Sequence, residues 1–157
     1  MTCLKLFAGA SLVLAVSFAM GADVPKEWKE TYAKISKTIV DNNIKGYMTW
    51  MDKGFTNVQD GKKTGFAEYE KMFTDFMKPF KNVKAKAMPL TFTKKGADII
   101  IDFRYTFSGD MAGKDGKTKT LKFFEEGTDT WRKSGGKWLE VTEQIKKEGM
   151  LPASAKV

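Results

Sequence analysis

The sequence predicts an α+β domain in which helices come first and a long antiparallel meander follows. Three observations carry that reading. Apolar residues recur at helical spacing between Trp28 and Phe80, and from Val83 onward they alternate with polar ones at a period of two. Turn signals at Lys94-Lys95-Gly96, Gly109 to Gly116 and Ser134-Gly135-Gly136 then divide the second half into four strand candidates. With 157 residues, 42% of them hydrophobic, there is room for one domain with its own core.

The start of the chain stands apart from that domain. MTCLKLFAGASLVLAVSFAMG carries one basic residue, Lys5, ahead of an apolar run from Leu6 to Met20, the pattern of a secretory signal peptide over residues 1–21. The run is short for a membrane span. Small residues at Ala19 and Gly21 suit a signal peptidase, so cleavage is expected between Gly21 and Ala22, leaving a periplasmic or secreted protein without a membrane span. Cys3 precedes the apolar run and so is not the acylated cysteine of a lipoprotein. Once it leaves with the signal the mature chain has no cysteine, and packing alone must hold the domain.

Residues 22–148 are expected to form the domain and 149–157 a flexible C-terminal tail. Trp28, Tyr32, Ile35 and Ile39 mark one face of a helix beginning after Pro25, and Ile44, Tyr47, Met48 and Met51 a second short one. A brief strand from Phe55 to Gln59 ends at Asp60-Gly61. Thr64 is the expected N-cap of a third helix with the face Phe66, Tyr69, Phe73, Phe76, Met77 and Phe80, closed by Pro79. In the stretch Val83 to Thr93, Pro89 costs a ladder hydrogen bond and predicts an edge or a bulge. The next strand places Ile99, Ile101, Phe103, Tyr105 and Phe107 on one face and Asp98, Asp102, Arg104 and Thr106 on the other.

The formal net charge is +8, one less without Lys5, yet only Arg104 and Arg132 among the 27 basic residues are arginine. Lysines are spread through every segment. Bidentate phosphate recognition favours arginine, so the charge is read as a solvated surface and no nucleic-acid partner is expected.

The order of elements resembles the NTF2-like superfamily, of the SnoaL-like or DUF4440 type. The segment GFTNVQDGKKTGFAEYEKMF is similar to that family's strand, turn and helix, and DTWRKSGGKWLEV to its closing hairpin. The resemblance covers about Trp28 to Ile145. It implies a strongly curved antiparallel sheet wrapped around the N-terminal helices as a cone with an internal pocket, often paired as a homodimer through the outer sheet face. Many members carry histidines on the last strand; this chain has none, with Thr142 and Gln144 at those places. The fold hosts isomerases, hydrolases and binding modules alike, so it implies no single activity.

A two-residue Ser134-Gly135 loop would set Trp131 opposite Trp138 and Glu126 opposite Glu143; an Asp115-Gly116 turn would set Tyr105 opposite Glu126 and Phe107 opposite Phe124. One face then collects Phe103, Tyr105, Phe107, Phe124, Leu139, Val141 and Ile145 with Glu126 and Glu143. The other collects Asp102, Arg104, Asp129, Trp131, Trp138 and Glu140. The expected ligand pocket is therefore Phe103, Tyr105, Phe107, Glu126 and Glu143, the two glutamates being candidate catalytic residues if burial raises a pKa, or solvent-reaching groups at the mouth of the cone if it does not. Asp102, Arg104 and Asp129 match in composition the Asp-Arg-Asp set of the family's epoxide hydrolases. On the outer face they read as interface salt bridges instead, beside tryptophans that predict a dimer.

Without histidine or mature cysteine, catalytic triads, thiol chemistry and imidazole metal sites are excluded, and no cofactor or metal is expected. Two function classes remain. One is an exported binding or accessory module for a small apolar or amphipathic ligand; the other is an isomerase or lyase resembling ketosteroid isomerase, with a buried carboxylate as general base.

Overall fold

Pro25, at φ −54°, precedes a first turn that needs no amide proton from it, and α1 (Lys26–Val40) follows with Trp28, Tyr32, Ile35 and Ile39 on its buried face. The computed structural model describes residues 23–113 and 115–157; the expected signal peptide lies outside them. Asn43 caps the short helix α2 (Ile44–Met48), its side chain accepting from the Gly46 amide at 2.9 Å. The chain then enters β1 (Met51–Gln59) and turns at Asp60 and Gly61, both at positive φ, into β2 (Lys62–Gly65). Thr64 is not the cap of the third helix. It pairs with Asn57 in the β1–β2 ladder, so α3 (Phe66–Met77) starts one residue later, after Gly65, with no side-chain cap.

Beyond α3 lie β3 (Lys81–Pro89), β4 (Thr93–Lys95), β5 (Asp98–Ala112), β6 (Thr118–Ser134) and β7 (Lys137–Met150). They form with β1 and β2 a curved sheet in the order β2-β1-β7-β6-β5-β3, with β4 also on β5. The helices pack inside its curvature as the expected cone. The sheet is mixed rather than wholly antiparallel, because β1 lies parallel to β7. Pro89 ends β3 on the sheet edge, where its missing amide costs nothing, and the amides of Leu90 and Thr91 turn to the Asp102 carbonyl before β4 resumes pairing.

The hairpin registers differ from the expected ones. Gly135 and Gly136 both have positive φ, so they, not Ser134 and Gly135, are the two turn residues, and Ser134 pairs with Lys137. Between β5 and β6 the connection is residues 113–117, which pairs Ala112 with Thr118, Tyr105 with Glu125 and Phe107 with Phe123. β7 also carries two bulges: Thr130 pairs with Thr142 but Trp131 with Glu140, and Gly127 pairs with Ile145 but Glu126 with Lys147. Val141 and Lys146 are the extra residues.

These shifts change what is inside. Trp131 is wholly buried against Trp28, at 5.3 Å between ring centroids, and Trp138 lies 5.8 Å from the same ring. The tryptophan pair that predicts a dimer interface is thus absent from the outer face. Asp129 and Glu140 are interior as well. Phe124 and Glu126 lie outside: the Arg104 guanidinium stands 4.9 Å from the Phe124 ring and bonds Glu126 at 2.7 Å. Leu139 pairs with Arg132, also away from the interior. At the C-terminal end the Leu151 amide donates to the Lys122 carbonyl, and the Lys122 ammonium to the carbonyls of Ala153 and Ala155.

Candidate functional site

Every tyrosine of the chain, Tyr32, Tyr47, Tyr69 and Tyr105, lines one internal cavity, together with Glu125, Asp129, Glu140 and Glu143. The tyrosines come from α1, α2, α3 and β5, each at a position that faces the sheet's concave side. The acids come from β6 and β7. Asp129 and Glu143 are direct cross-strand partners, and Glu140, three residues from Glu143, would point to the opposite side of a regular strand. The bulge at Val141 brings it to the same side. Ile35, Ile39, Phe73, Ala87 and Phe103 complete the apolar walls.

The cavity measures about 50 Å³. One water requires roughly 10–15 Å³ in this measure, so the space takes a few waters or a ligand of a handful of heavy atoms. Among the described residues no lysine or arginine lines it.

Hydrogen bonds fix part of this interior. Tyr32 donates to Asp129 Oδ2 at 2.5 Å and accepts from Trp131 Nε1 at 3.4 Å. Asn57, beside Glu143 in the parallel β1–β7 ladder, donates to Glu143 Oε2 at 2.7 Å. The hydroxyls of Tyr47 and Tyr69 bond each other at 3.1 Å. The Tyr105 hydroxyl, Asp129 Oδ1 and Glu140 Oε1 are buried and have no hydrogen-bond partner among the described residues. Tyr32, donating to Asp129, favours the charged form there.

Burial is the first cause of every pKa displacement in the cluster. It pushes Glu125 up to about 8, with the charges of Glu143 and Glu148 adding to it. Asp129 and Glu140 are raised by burial and then by neighbouring carboxylates. Glu143 is raised by burial and held partly down by the bonds from Asn57 and Tyr69. All four tyrosines are raised, again chiefly by burial. The interior is an acid reservoir that ionises at higher pH than free carboxylates do.

Of the residues singled out from sequence, Phe103, Tyr105 and Glu143 line the cavity, whereas Phe107 packs deeper, between Phe80 and Phe123. Glu126 does not meet Glu143; its chain neighbour Glu125 takes the interior place. The set Asp102, Arg104, Asp129 is split between the two faces. Asp102 stays outside, bonded by Thr91, Thr128 and Lys146. Sequence reasoning placed Tyr32 on the buried face of α1 but not at a site, and it missed Asn57, Glu125, Asp129 and Glu140 as interior polar groups. The deciding register is the one between β5 and β6, which is one residue from the expected pairing and exchanges the faces of β6, whereas the Gly135-Gly136 turn shifts β7 against β6 by two and leaves their shared faces unchanged.

The fold has solved counterparts. A conserved protein from Planctomyces limnophilus is similar over 80% of this chain and 100% of its own, with a TM-score of 0.64 at 9% identity. A protein of unknown function with a cystatin-like fold from Nostoc punctiforme gives 0.58 at 13% identity, covering 85% and 97%. An NTF-2 like protein of unknown function from Shewanella oneidensis gives 0.54 at 13% identity, covering 78% and 98%. No protein-family model matches the chain, and no curated protein does. Likeness at this identity shows the fold alone, and the fold is NTF2-like.

Proposed function

Given an NTF2-like cone, we propose that the mature chain is an exported binding or accessory module whose internal cavity takes a small amphipathic ligand. The observation that carries this reading is the Tyr105 hydroxyl, buried and without a partner in an aromatic-walled space. An orphaned buried donor costs on the order of 1–3 kcal/mol, which a ligand's acceptor would recover. Such a polar anchor inside apolar walls fixes orientation in small-molecule sites. Export rests on the N-terminal sequence, and the mature mass should begin at Ala22.

The test is native mass spectrometry of the protein recovered from the envelope or medium, followed by a ligand screen on wild type and Tyr105→Phe. A copurifying small molecule that Tyr105→Phe binds about tenfold more weakly supports the proposal. An empty cavity together with a screen in which no compound binds saturably rejects it.

A second reading follows from Glu125, a carboxyl raised to about 8 and placed across the ladder from Tyr105. Near neutral pH such a group can take a proton next to a small ligand's carbonyl while a tyrosine donates to the oxygen. Deuterium exchange next to the carbonyl of bound ketones, lost in Glu125→Gln, would favour this isomerase or lyase reading over simple binding.

A further inference from the structure

We infer that Asp129, Glu140 and Glu143 form a binding site for one hard divalent cation of the calcium or manganese kind. One carboxylate oxygen from each residue lies within 4.8 Å of the other two. That is the span of two oxygens sharing a single ion through bonds of about 2.3–2.6 Å.

The orientation of the carboxylates points the same way. Asp129 and Glu143 each have one oxygen held by a donor, Tyr32 for Asp129 and Asn57 for Glu143. Asp129 Oδ1 and Glu140 Oε1 are left without any donor from another residue. Ligating carboxylates are commonly aimed by such outer partners, which hold one oxygen and leave the other for the metal. An observation outside the cluster agrees with it: the Tyr105 hydroxyl, from a different strand and only 9% exposed, also stands unpartnered at the same cavity. In this inference its hydroxyl bonds a water that completes the coordination shell.

Charge and donor type select the ion. Three carboxylates with no basic side chain on the cavity wall are an anionic pocket in a low-dielectric surrounding, which a divalent cation neutralises more fully than any group present. Lack of histidine removes nitrogen ligands but not oxygen ones. Carboxylate, hydroxyl and water donors suit calcium, magnesium and manganese and disfavour zinc or copper. Magnesium demands near-octahedral geometry at short distances, so calcium and manganese are expected to bind ahead of it. The inference does not depend on an organic ligand: an ion without one, or one without an ion, separates it from the proposed function.

The exported protein, stripped with chelator, should be titrated with calcium, manganese and magnesium by calorimetry, with manganese also followed by its electron spin resonance signal. Terbium should show luminescence sensitised by the tyrosines and tryptophans around the site, and calcium should displace it. One saturable site per chain is expected, weakened at least about tenfold in Asp129→Asn and Glu140→Gln. Glu126→Gln, on the outer face, should leave binding unchanged. Because the wild-type titrations stand alone, a variant that fails to fold does not protect the inference. No saturable binding of any of the three ions by wild type overturns it, as does binding that folded Asp129→Asn and Glu140→Gln retain in full.

Discussion

Phe103 and Gly127 are cross-strand partners, and the edge of the Phe103 ring fills the space where a side chain on Gly127 would stand. A Cβ there would lie 2.9 Å from two ring atoms and 2.4 Å from the Gln144 carbonyl oxygen. The second contact is backbone, at the bulge of β7, and cannot swing away. Gly127→Ala is therefore expected to destabilise the fold by roughly 1–3 kcal/mol, the usual cost of overpacking. Urea unfolding checks it, and a midpoint equal to wild type would show that the strands have room to part.

The Tyr32 hydroxyl joins two groups that have no other partner at those atoms among the described residues, Asp129 Oδ2 and Trp131 Nε1. Tyr32→Phe keeps the ring and removes both bonds. A loss of about 1–3 kcal/mol is expected, since a hydrogen bond to a charged or buried group exceeds the ordinary value. Equilibrium denaturation gives the number. Because that bond holds the Asp129 proton affinity down, a carboxyl NMR titration should find Asp129 ionising at still higher pH in the variant.

What the sequence allowed was a matter of scale. Helical spacing located α1 and α3 because four or more apolar residues repeat in each, and alternation along β5 named its buried face correctly at Ile99, Ile101, Phe103, Tyr105 and Phe107. Those signals are local. The interior acids depend instead on the parity of the β5–β6 loop and on the bulges of β7, and a shift of one residue exchanges the faces of a whole strand. Hence the sequence points to Glu126 where Glu125 belongs and places Asp129 and Glu140 on the outer face. A bulge at Val141 has no composition of its own, and an Asn57–Glu143 bond across 86 residues has no periodicity to betray it.

The outer partner of that misassignment offers a contrast. Arg104 and Glu126 bond at 2.7 Å with side chains 37% and 21% exposed. Ion pairs that reach water contribute about 0–1 kcal/mol. Glu126→Gln should thus change stability by less than about 1 kcal/mol and leave any ligand or proton chemistry of the cavity untouched. A larger loss in thermal or urea unfolding would show that the outer face is covered by something that excludes water.

Glu125 gives the protein a pH dependence of definite sign. Its carboxyl ionises at about 8 in the folded chain against 4.5 for an ordinary glutamate, because burial and the charges of Glu143 and Glu148 oppose ionisation. Across that interval the folded state keeps a proton that the unfolded chain has released. The stabilisation is whole below 4.5 and is lost as pH rises through 8. The interval corresponds to roughly 4–5 kcal/mol, a large part of the stability of a domain of this size. Asp129, Glu140 and Glu143 are displaced in the same direction, so wild type in chelator should be most stable in mild acid and weaken steadily toward pH 9. Glu125→Gln, neutral at every pH, isolates one contribution: its decline between pH 5 and pH 9 should be shallower by roughly 2–4 kcal/mol. Parallel urea series at those two pH values measure the difference. Equal declines in the two proteins would mean that Glu125 reaches solvent and ionises like a free side chain.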